Sequence, residues 1–247
     1  MYSFESRIRY SETGSDGKLT ILSLMDYFQD CSTFQSEDLG VGLSYLRERK
    51  LVWVLSSWQI AIERLPQMCE RVLVGTFPYD FKGYFGFRNF FMKDEAGNYL
   101  AKANTMWTLL DTDTFKPTRL SEEIVRKYKL EEKLPMAYTG RKIMLQSDME
   151  KQEGIVVKPH HLDTNHHVNN AQYVGMALDY LPEDYVVTGI RAEYKKQALL
   201  HDMLIPCLCT KCGERGAETR VVSLQDVQGT VYTNVEFEGR RNDDEAG

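Results

Sequence analysis

The order of apolar patterns constrains this chain most. One long helical run is followed by a series of strand-like runs, and a shorter version of the same order returns later. Leu19 to Leu39 carries Leu22, Met25 and Phe28 on one helical face, and Gly40 and Gly42 mark its end. Leu51 to Arg64 (LVWVLSSWQIAIER) is rich in β-branched and aromatic residues and reads as a strand interrupted at Pro66. Arg71 to Tyr79, Gly86 to Lys93 and Leu100 to Asp111 read as three more, with Asp94 to Asn98 as a hairpin turn between the last two. Tyr2 to Tyr10 alternates polar and apolar residues, the pattern of a first strand. From Ile155 the order resumes: a strand, a polar loop, a helix over 170–181, and strands near 185–196, 203–210, 219–226 and 230–238. Leu19, Met25 and Phe28 sit at the offsets of Val168, Val174 and Ala177, which suggests an internal duplication. The patterning predicts two α+β halves, each a helix with an antiparallel sheet.

The expected domains are 1–130, then a linker over 131–153, a second domain over 154–240, and a disordered polar tail over 241–247. Within 111–154 only a short helix is expected, capped by Ser121, with Glu122 and Glu123 in its first turn and Lys127 and Lys129 near its end.

Bulk properties remove several function classes. No apolar run approaches the ~20 residues needed to span a bilayer. The opening MYSFESRIRYSETG lacks the apolar core of a secretory signal, so the cytoplasm is the expected compartment. The formal charge of −6 disfavours nucleic acid, which needs a basic footprint. Five Cys at irregular spacing argue for reduced thiols. Cys207, Cys209 and Cys212 form no paired C-x-x-C units, so no metal and no other cofactor is expected, and Gly213 is read as a turn after that strand. Trp53 and Trp58 lie among the strand aromatics, either as core or as lining of an apolar ligand pocket.

The chemistry concentrates in His160 to Leu181, HHLDTNHHVNNAQYVGMALDYL. In an extended segment Asp163, Asn165 and His167 point to one side, so a carboxylate, an amide and an imidazole can converge. His166 then points away and is read as surface. Asn169 or Asn170 caps the helix that follows, which Pro182 stops. Gly175 in its middle costs roughly 1 kcal/mol relative to Ala, so close approach by a strand or an elongated ligand is expected there.

The string LDTNHHVNNAQYVG resembles the signature of the acyl-acyl carrier protein thioesterases, Asp-x-Asn-x-His-Val-Asn-Asn followed by an aromatic residue and a Gly. Asp163, Asn165, His167, Val168, Asn169 and Asn170 fill it. A second element of that family, Glu-Tyr-Arg-Arg-Glu-Cys, is echoed in part by Glu193-Tyr194-Lys195-Lys196-Gln197-Ala198. Gln197 stands where the family usually has a catalytic carboxylate, and Ala198 where plant members carry Cys. The resemblance implies a tandem (double) hotdog, two antiparallel sheets each wrapped on a helix and joined as a pseudo-dimer within the chain. It implies hydrolysis of the thioester of a fatty acyl-acyl carrier protein. Asp163, Asn165, His167 and Gln197 would be the catalytic set. Asn169, Asn170, Gly175, Trp53 and Trp58 would contact substrate, and the first half would supply the acyl pocket. Plant members carry a transit leader, so the opening sequence fits a bacterial form.

The expected partner is the acylated carrier, itself acidic, which needs a local basic patch. The candidates are Arg47, Arg49 and Lys50; Arg126, Lys127 and Lys129; and Lys195 with Lys196. A homodimer paired sheet to sheet is left open. The alternatives are a hotdog hydrolase of acyl-coenzyme A and a non-catalytic acyl-binding protein. With Gln at 197, either Asp163 carries more of the base role, Glu193 reaches in, or activity is low; the first is favoured.

Overall fold

The computed structural model describes residues 1–212 and 218–241. Contacts divide the chain into two compact units. The first comprises Met1–Ser56 and Ile60–Tyr138; the second comprises Ser57–Gln59 and the described residues from Thr139 on.

In the first unit, strands β1 (Tyr2–Arg7), β2 (Leu51–Ile62), β3 (Arg71–Lys82), β4 (Phe85–Asp94) and β5 (Tyr99–Asp111) lie in the order β1-β3-β4-β5-β2. The pairings of β3 with β1 and β4, and of β4 with β5, are antiparallel. Helix α1 (Ile21–Asp38) packs on β3 and β1. Its buried stripe, Leu24, Met25, Tyr27, Phe28 and Cys31, follows from the helical spacing of the apolar residues. Thr20 caps it by accepting the Ser23 N–H. Two short helices, α2 (Leu43–Glu48) and α3 (Glu122–Lys127), close an apolar cluster built from Val41, Leu46, Leu109, Ile124 and Tyr128. The connector expected at 41–50 thus contains α2. Opposite Phe91 the sheet carries Gly75, where a Cβ would come within 2.1 Å of the Phe91 ring. Glycine there lets the ring lie flat on the neighbouring strand.

In the second unit, strands β6 (Glu150–Lys151), β7 (Ile155–Val156), β8 (Tyr185–Tyr194), β9 (Met203–Cys212), β10 (Glu218–Gln225) and β11 (Val231–Arg241) give the order β8-β11-β10-β9-β6, with β7 also on β9. Helix α4 (Asn170–Leu178) packs on β10 and β11. Each unit is thus a helix held against an antiparallel sheet, and the pair makes a tandem hotdog. The fully buried Trp58, Phe28, Phe90 and Phe237 anchor the cores; burying such side chains contributes roughly 1.5–3 kcal/mol each.

The segment expected as a linker is divided between the units and packed down. Leu134 is buried, and its N–H donates to Asn89 Oδ1, which also accepts from the Tyr138 hydroxyl. Farther on, Ile143 is buried and donates its N–H to Glu193. Arg191 donates to the carbonyls of Gly140 and Lys142 and pairs with Glu236 at 2.5 Å. β6 adds an edge pairing to β9. Polar sequence concealed this because the anchoring comes from partners far away in the chain. Arg241, expected in the tail, instead closes β11, where Glu218 and Asp184 hold its guanidinium. The rest of the expected tail, 242–247, and the turn expected at Gly213 lie outside the described residues.

The duplication is visible in the backbone. Thr13 bridges Leu19 in the first unit, and Leu162 bridges Val168 in the second, each position 149 residues on. Before each bridge lies a 3-10 turn (Tyr10–Glu12; Pro159–His161), and after each comes the N-cap, Thr20 or Asn169.

Candidate active site

Asp163, Asn165 and His167 lie on the turn closed by the Leu162–Val168 bridge. The expectation of an extended segment does not hold. The Asp163 N–H donates to the His167 carbonyl at 2.8 Å, and His166 donates back to the Asp163 carbonyl at 3.1 Å. His166 has φ 61°, in the left-handed region. Asx chemistry drives this fold-back. Asp163 Oδ1 accepts the backbone N–H groups of Asn165 at 2.8 Å and His167 at 3.2 Å. Among the described residues no donor engages Oδ2. Asp163 and His167 are half-buried, whereas Asn165 and His166 are exposed. The three polar side chains therefore share one tight turn, with the carboxylate as its hub.

The first unit carries the same turn without this chemistry. Gly14 donates to the Lys18 carbonyl and Gly17 to the Gly14 carbonyl, the counterparts of the Asp163 and His166 bonds. Gly17, the counterpart of His166, has φ 73°. Asp163, Asn165 and His167 thus correspond to Gly14, Asp16 and Lys18. The turn closes in both units, so it does not require a carboxylate at its first position or an imidazole at its last.

Asn169 is the cap: its Oδ1 accepts the Ala171 N–H at 2.9 Å. Asn170 opens α4, and its carbonyl accepts the Tyr194 hydroxyl at 2.9 Å. The Asn170 N–H has no acceptor among the described residues and lies at the positive end of the helix dipole. Gly175 is half-buried, off the buried face formed by Ala171, Tyr173, Val174, Met176 and Ala177.

Gln197 comes to the turn through its neighbour. The Val168 N–H donates to the Ala198 carbonyl at 3.0 Å, and the Ala198 N–H donates to the Tyr173 hydroxyl at 2.7 Å. Ala198 is buried, and Gln197 beside it is exposed. Tyr173 was not singled out from sequence. Its signal was an aromatic residue with a polar tip on the buried face of α4; such a tip finds a hydrogen-bond partner when buried. Burial raises its hydroxyl pKa above the ordinary tyrosine value.

Glu193 does not reach this turn. Its carboxylate accepts Ile143 N–H and Asn234 Nδ2, each at 3.2 Å, with Lys195 at 3.7 Å. Trp53 packs in the first unit with the cluster around Leu109 and Tyr128, and Trp58 is 2% exposed as core. His161 is tied into its 3-10 turn through Nδ1, which accepts the Lys158 N–H; burial lowers its pKa, helped by His160 and Lys158. Among the described residues no group of His, Cys, Asp and Glu is arranged to hold a metal. No helix of the described residues is long and apolar enough to cross a membrane.

A tandem hotdog with an Asp-Asn-His turn in its second copy defines the class: a duplicated hotdog protein with one chemically equipped loop. The chain belongs to the acyl-ACP thioesterase family. The model of that family's N-terminal domain matches residues 1–128, and the model of its C-terminal domain matches 145–238. A palmitoyl-acyl carrier protein thioesterase of Gossypium hirsutum is 25% identical over 215 residues, 80% of this chain and 52% of its own length. Oleoyl-acyl carrier protein thioesterase 1 of Arabidopsis thaliana is 24% identical over 231 residues, 85% of this chain and 63% of its own length. The chain thus spans about half the length of the first of these relatives, 52%. Among solved structures, a 12:0-ACP thioesterase from Umbellularia californica superposes with TM-score 0.86 at 21% identity, covering 98% of this chain and 94% of its own. An acyl-ACP thioesterase from Bacteroides thetaiotaomicron does so with TM-score 0.85 at 21% identity, covering 96% and 97%. Both show the same fold.

Proposed function

We propose that the chain hydrolyses the thioester of a fatty acyl-acyl carrier protein and releases the free fatty acid. The observation that carries this reading is the contrast between the two matched turns. One backbone geometry occurs twice, and only the second copy has Asp163 and His167 where the first has Gly14 and Lys18. Oδ1 of Asp163 is fixed by two N–H donors, which leaves Oδ2 to take a proton from water as that water attacks the thioester carbon. The developing oxyanion is met by the N–H of Asn170. The C–S bond breaks, and His167 delivers a proton to the leaving thiolate. Release of free thiol from carrier-linked and coenzyme A-linked acyl groups of several lengths tests the reading. Hydrolysis of the carrier-linked substrates supports it, and inertness toward both overturns it.

Gln197 bears on the rate. A glutamine holds water but cannot accept its proton, so Asp163 acts as the sole base. Gln197→Glu places a carboxylate on an exposed side chain beside the turn. Single general bases contribute about 10²–10⁴-fold. The variant is therefore expected to raise kcat about tenfold or more, with a new acidic limb in the pH profile. An unchanged rate would mean that residue 197 does not contact the reacting water.

A basic surface fits the carrier. Arg49 stacks on Tyr45 at 3.7 Å, and Lys127, from another part of the first unit, lies 5.9 Å from the same ring. Arg47, Arg126 and Lys129 are exposed in the same two segments. On a chain of net charge −6, such a patch attracts an acidic partner locally. The double variant Arg49→Glu with Lys127→Glu is expected to raise KM for a carrier-linked substrate about tenfold. KM for the matching coenzyme A ester should stay within about twofold. Equal effects on both would separate the patch from carrier recognition.

A further inference from the structure

The segment that carries Gln197 has a counterpart in the first unit. In the second unit the Val168 N–H donates to the Ala198 carbonyl at 3.0 Å, the Leu199 N–H to Asp202 Oδ2 at 2.9 Å, and the His201 N–H to the Val157 carbonyl at 3.1 Å. In the first unit the Leu19 N–H donates to the Pro66 carbonyl at 2.8 Å, the Gln67 N–H to Glu70 Oε2 at 2.9 Å, and the Cys69 N–H to the Ile8 carbonyl at 2.9 Å. His201 and Cys69 both have φ 70°. The two segments match bond for bond, with Ala198 corresponding to Pro66 and Gln197 to Leu65.

One bond breaks the match. The Ala198 N–H donates to the Tyr173 hydroxyl at 2.7 Å. Tyr173 corresponds to Leu24, at the same spacing of 149 residues as the paired turns, and both lie on the buried face of their helix. Leucine has no acceptor and proline has no N–H, so neither half of this bond exists in the first unit. The helix, the turn and the segment close there all the same. The bond is present only in the unit that also carries Asp163 and His167. It acts on Gln197, whose side chain is exposed and makes no hydrogen bond among the described residues. The backbone alone therefore sets the place of residue 197. On one side the N–H groups of Lys195 and Lys196 donate to the Tyr232 carbonyl at 2.9 and 3.2 Å. On the other, Ala198 is tied to the turn through its carbonyl and to α4 through its N–H. Burial raises the Tyr173 pKa, the Ala198 N–H opposes the rise, and Tyr232, Asp202 and Asp163 add to it. The group is thus a neutral hydroxyl within the field of the Asp163 carboxylate.

We propose that Tyr173 is a positioning residue for the hydrolysis: by holding the Ala198 N–H it fixes the 197–198 peptide against the Asp163–His167 turn, so that residue 197 meets the attacking water in one place. This inference rests on the proposed hydrolysis. Misplacement of a group by about 1 Å can cost about 10²-fold in rate. Tyr173→Phe is compared with the double variant Tyr173→Leu with Ala198→Pro, each with Gln or Glu at position 197. The double variant installs the pair that the first unit already uses and leaves no N–H unpaired, so it provides a folded test if Tyr173→Phe is unstable; thermal midpoints report folding. In both, kcat on a carrier-linked substrate is expected to fall about tenfold, with KM within about twofold. The rate change that Gln197→Glu makes in the parent should shrink to within about twofold of none. Amide exchange of Val168 should quicken about tenfold in Tyr173→Phe, while β10 and β11 keep their protection. Parental kcat in the double variant overturns the proposal, since the hydroxyl would then serve only to pair the Ala198 N–H. So does an effect of Gln197→Glu that is equal in every background, or absent from the parent. A parent inert on every thioester fails the hydrolysis reading separately. Val168 exchange needs no turnover and then decides whether Tyr173 fixes the peptide; unchanged exchange overturns it.

Discussion

Replacing Asp163 by Asn is expected to lower thioester hydrolysis by about 10²–10⁴-fold, the usual contribution of a general base. The turn itself should survive. The amide oxygen of Asn can still accept the N–H groups of Asn165 and His167, now made by Asp163 Oδ1 at 2.8 and 3.2 Å. Asn is also a natural turn former. The stability should therefore stay within about 1–2 kcal/mol of the parent, the range of a charge-assisted hydrogen bond reduced to a neutral one. Asp163→Ala removes both the base and the hub of the turn, so it should lose stability as well as rate. Steady-state kinetics and thermal unfolding on the two variants separate chemistry from scaffolding. Near-parental turnover by Asp163→Asn would remove Asp163 from the mechanism and require a different base for the attacking water.

Arg191→Ala is expected to destabilise the second unit by about 3 kcal/mol. Breaking a buried ion pair by truncating one partner costs about 3–5 kcal/mol, and partial exposure places this one at the low end. The side chains are 18% and 9% exposed. The guanidinium pairs with Glu236 on the neighbouring strand and also donates to the carbonyls of Gly140 and Lys142. Its loss removes the anchors at Gly140 and Lys142 and leaves the bond from the Ile143 N–H to Glu193 in place. For a chain of this size the thermal midpoint should fall by about 6–12 °C. Amide exchange of residues 140–143 should quicken more than that of β8. Uniform quickening across the unit would show that the arginine braces the sheet and not the segment.

The sequence made the helices and strands readable because their apolar spacing is strong. Helix α1 follows the Leu24–Phe28–Cys31 face, and β2 to β5 follow dense β-branched and aromatic runs bounded by turn residues. The position of the site was readable too, since acidic, amide and imidazole groups cluster at 163–167. Its local shape was not. Alternation suggested an extended segment, but the side-chain oxygen of Asp163 competes for backbone N–H groups and folds the chain back. The segment 131–153 misled for another reason. It contains little periodicity, and its order comes from Asn89, Arg191 and Glu193, which lie about 50 residues away along the chain. Tyr173 was hidden in the same way. It reads as a routine position on its own element, and only tertiary packing gives it the Ala198 N–H.

The paired turns give this molecule a built-in blank. Positions 14–18 and 163–167 hold the same hydrogen-bonded frame, with Gly17 and His166 at φ 73° and 61°. An isotopic or fluorine label placed in both loops would read the same backbone twice in one sample, at one temperature and one ionic strength. Subtracting the first signal from the second cancels whatever solvent and tumbling do to such a loop. What is left is the response of the carboxylate and imidazole, measured against a reference that the protein carries within itself.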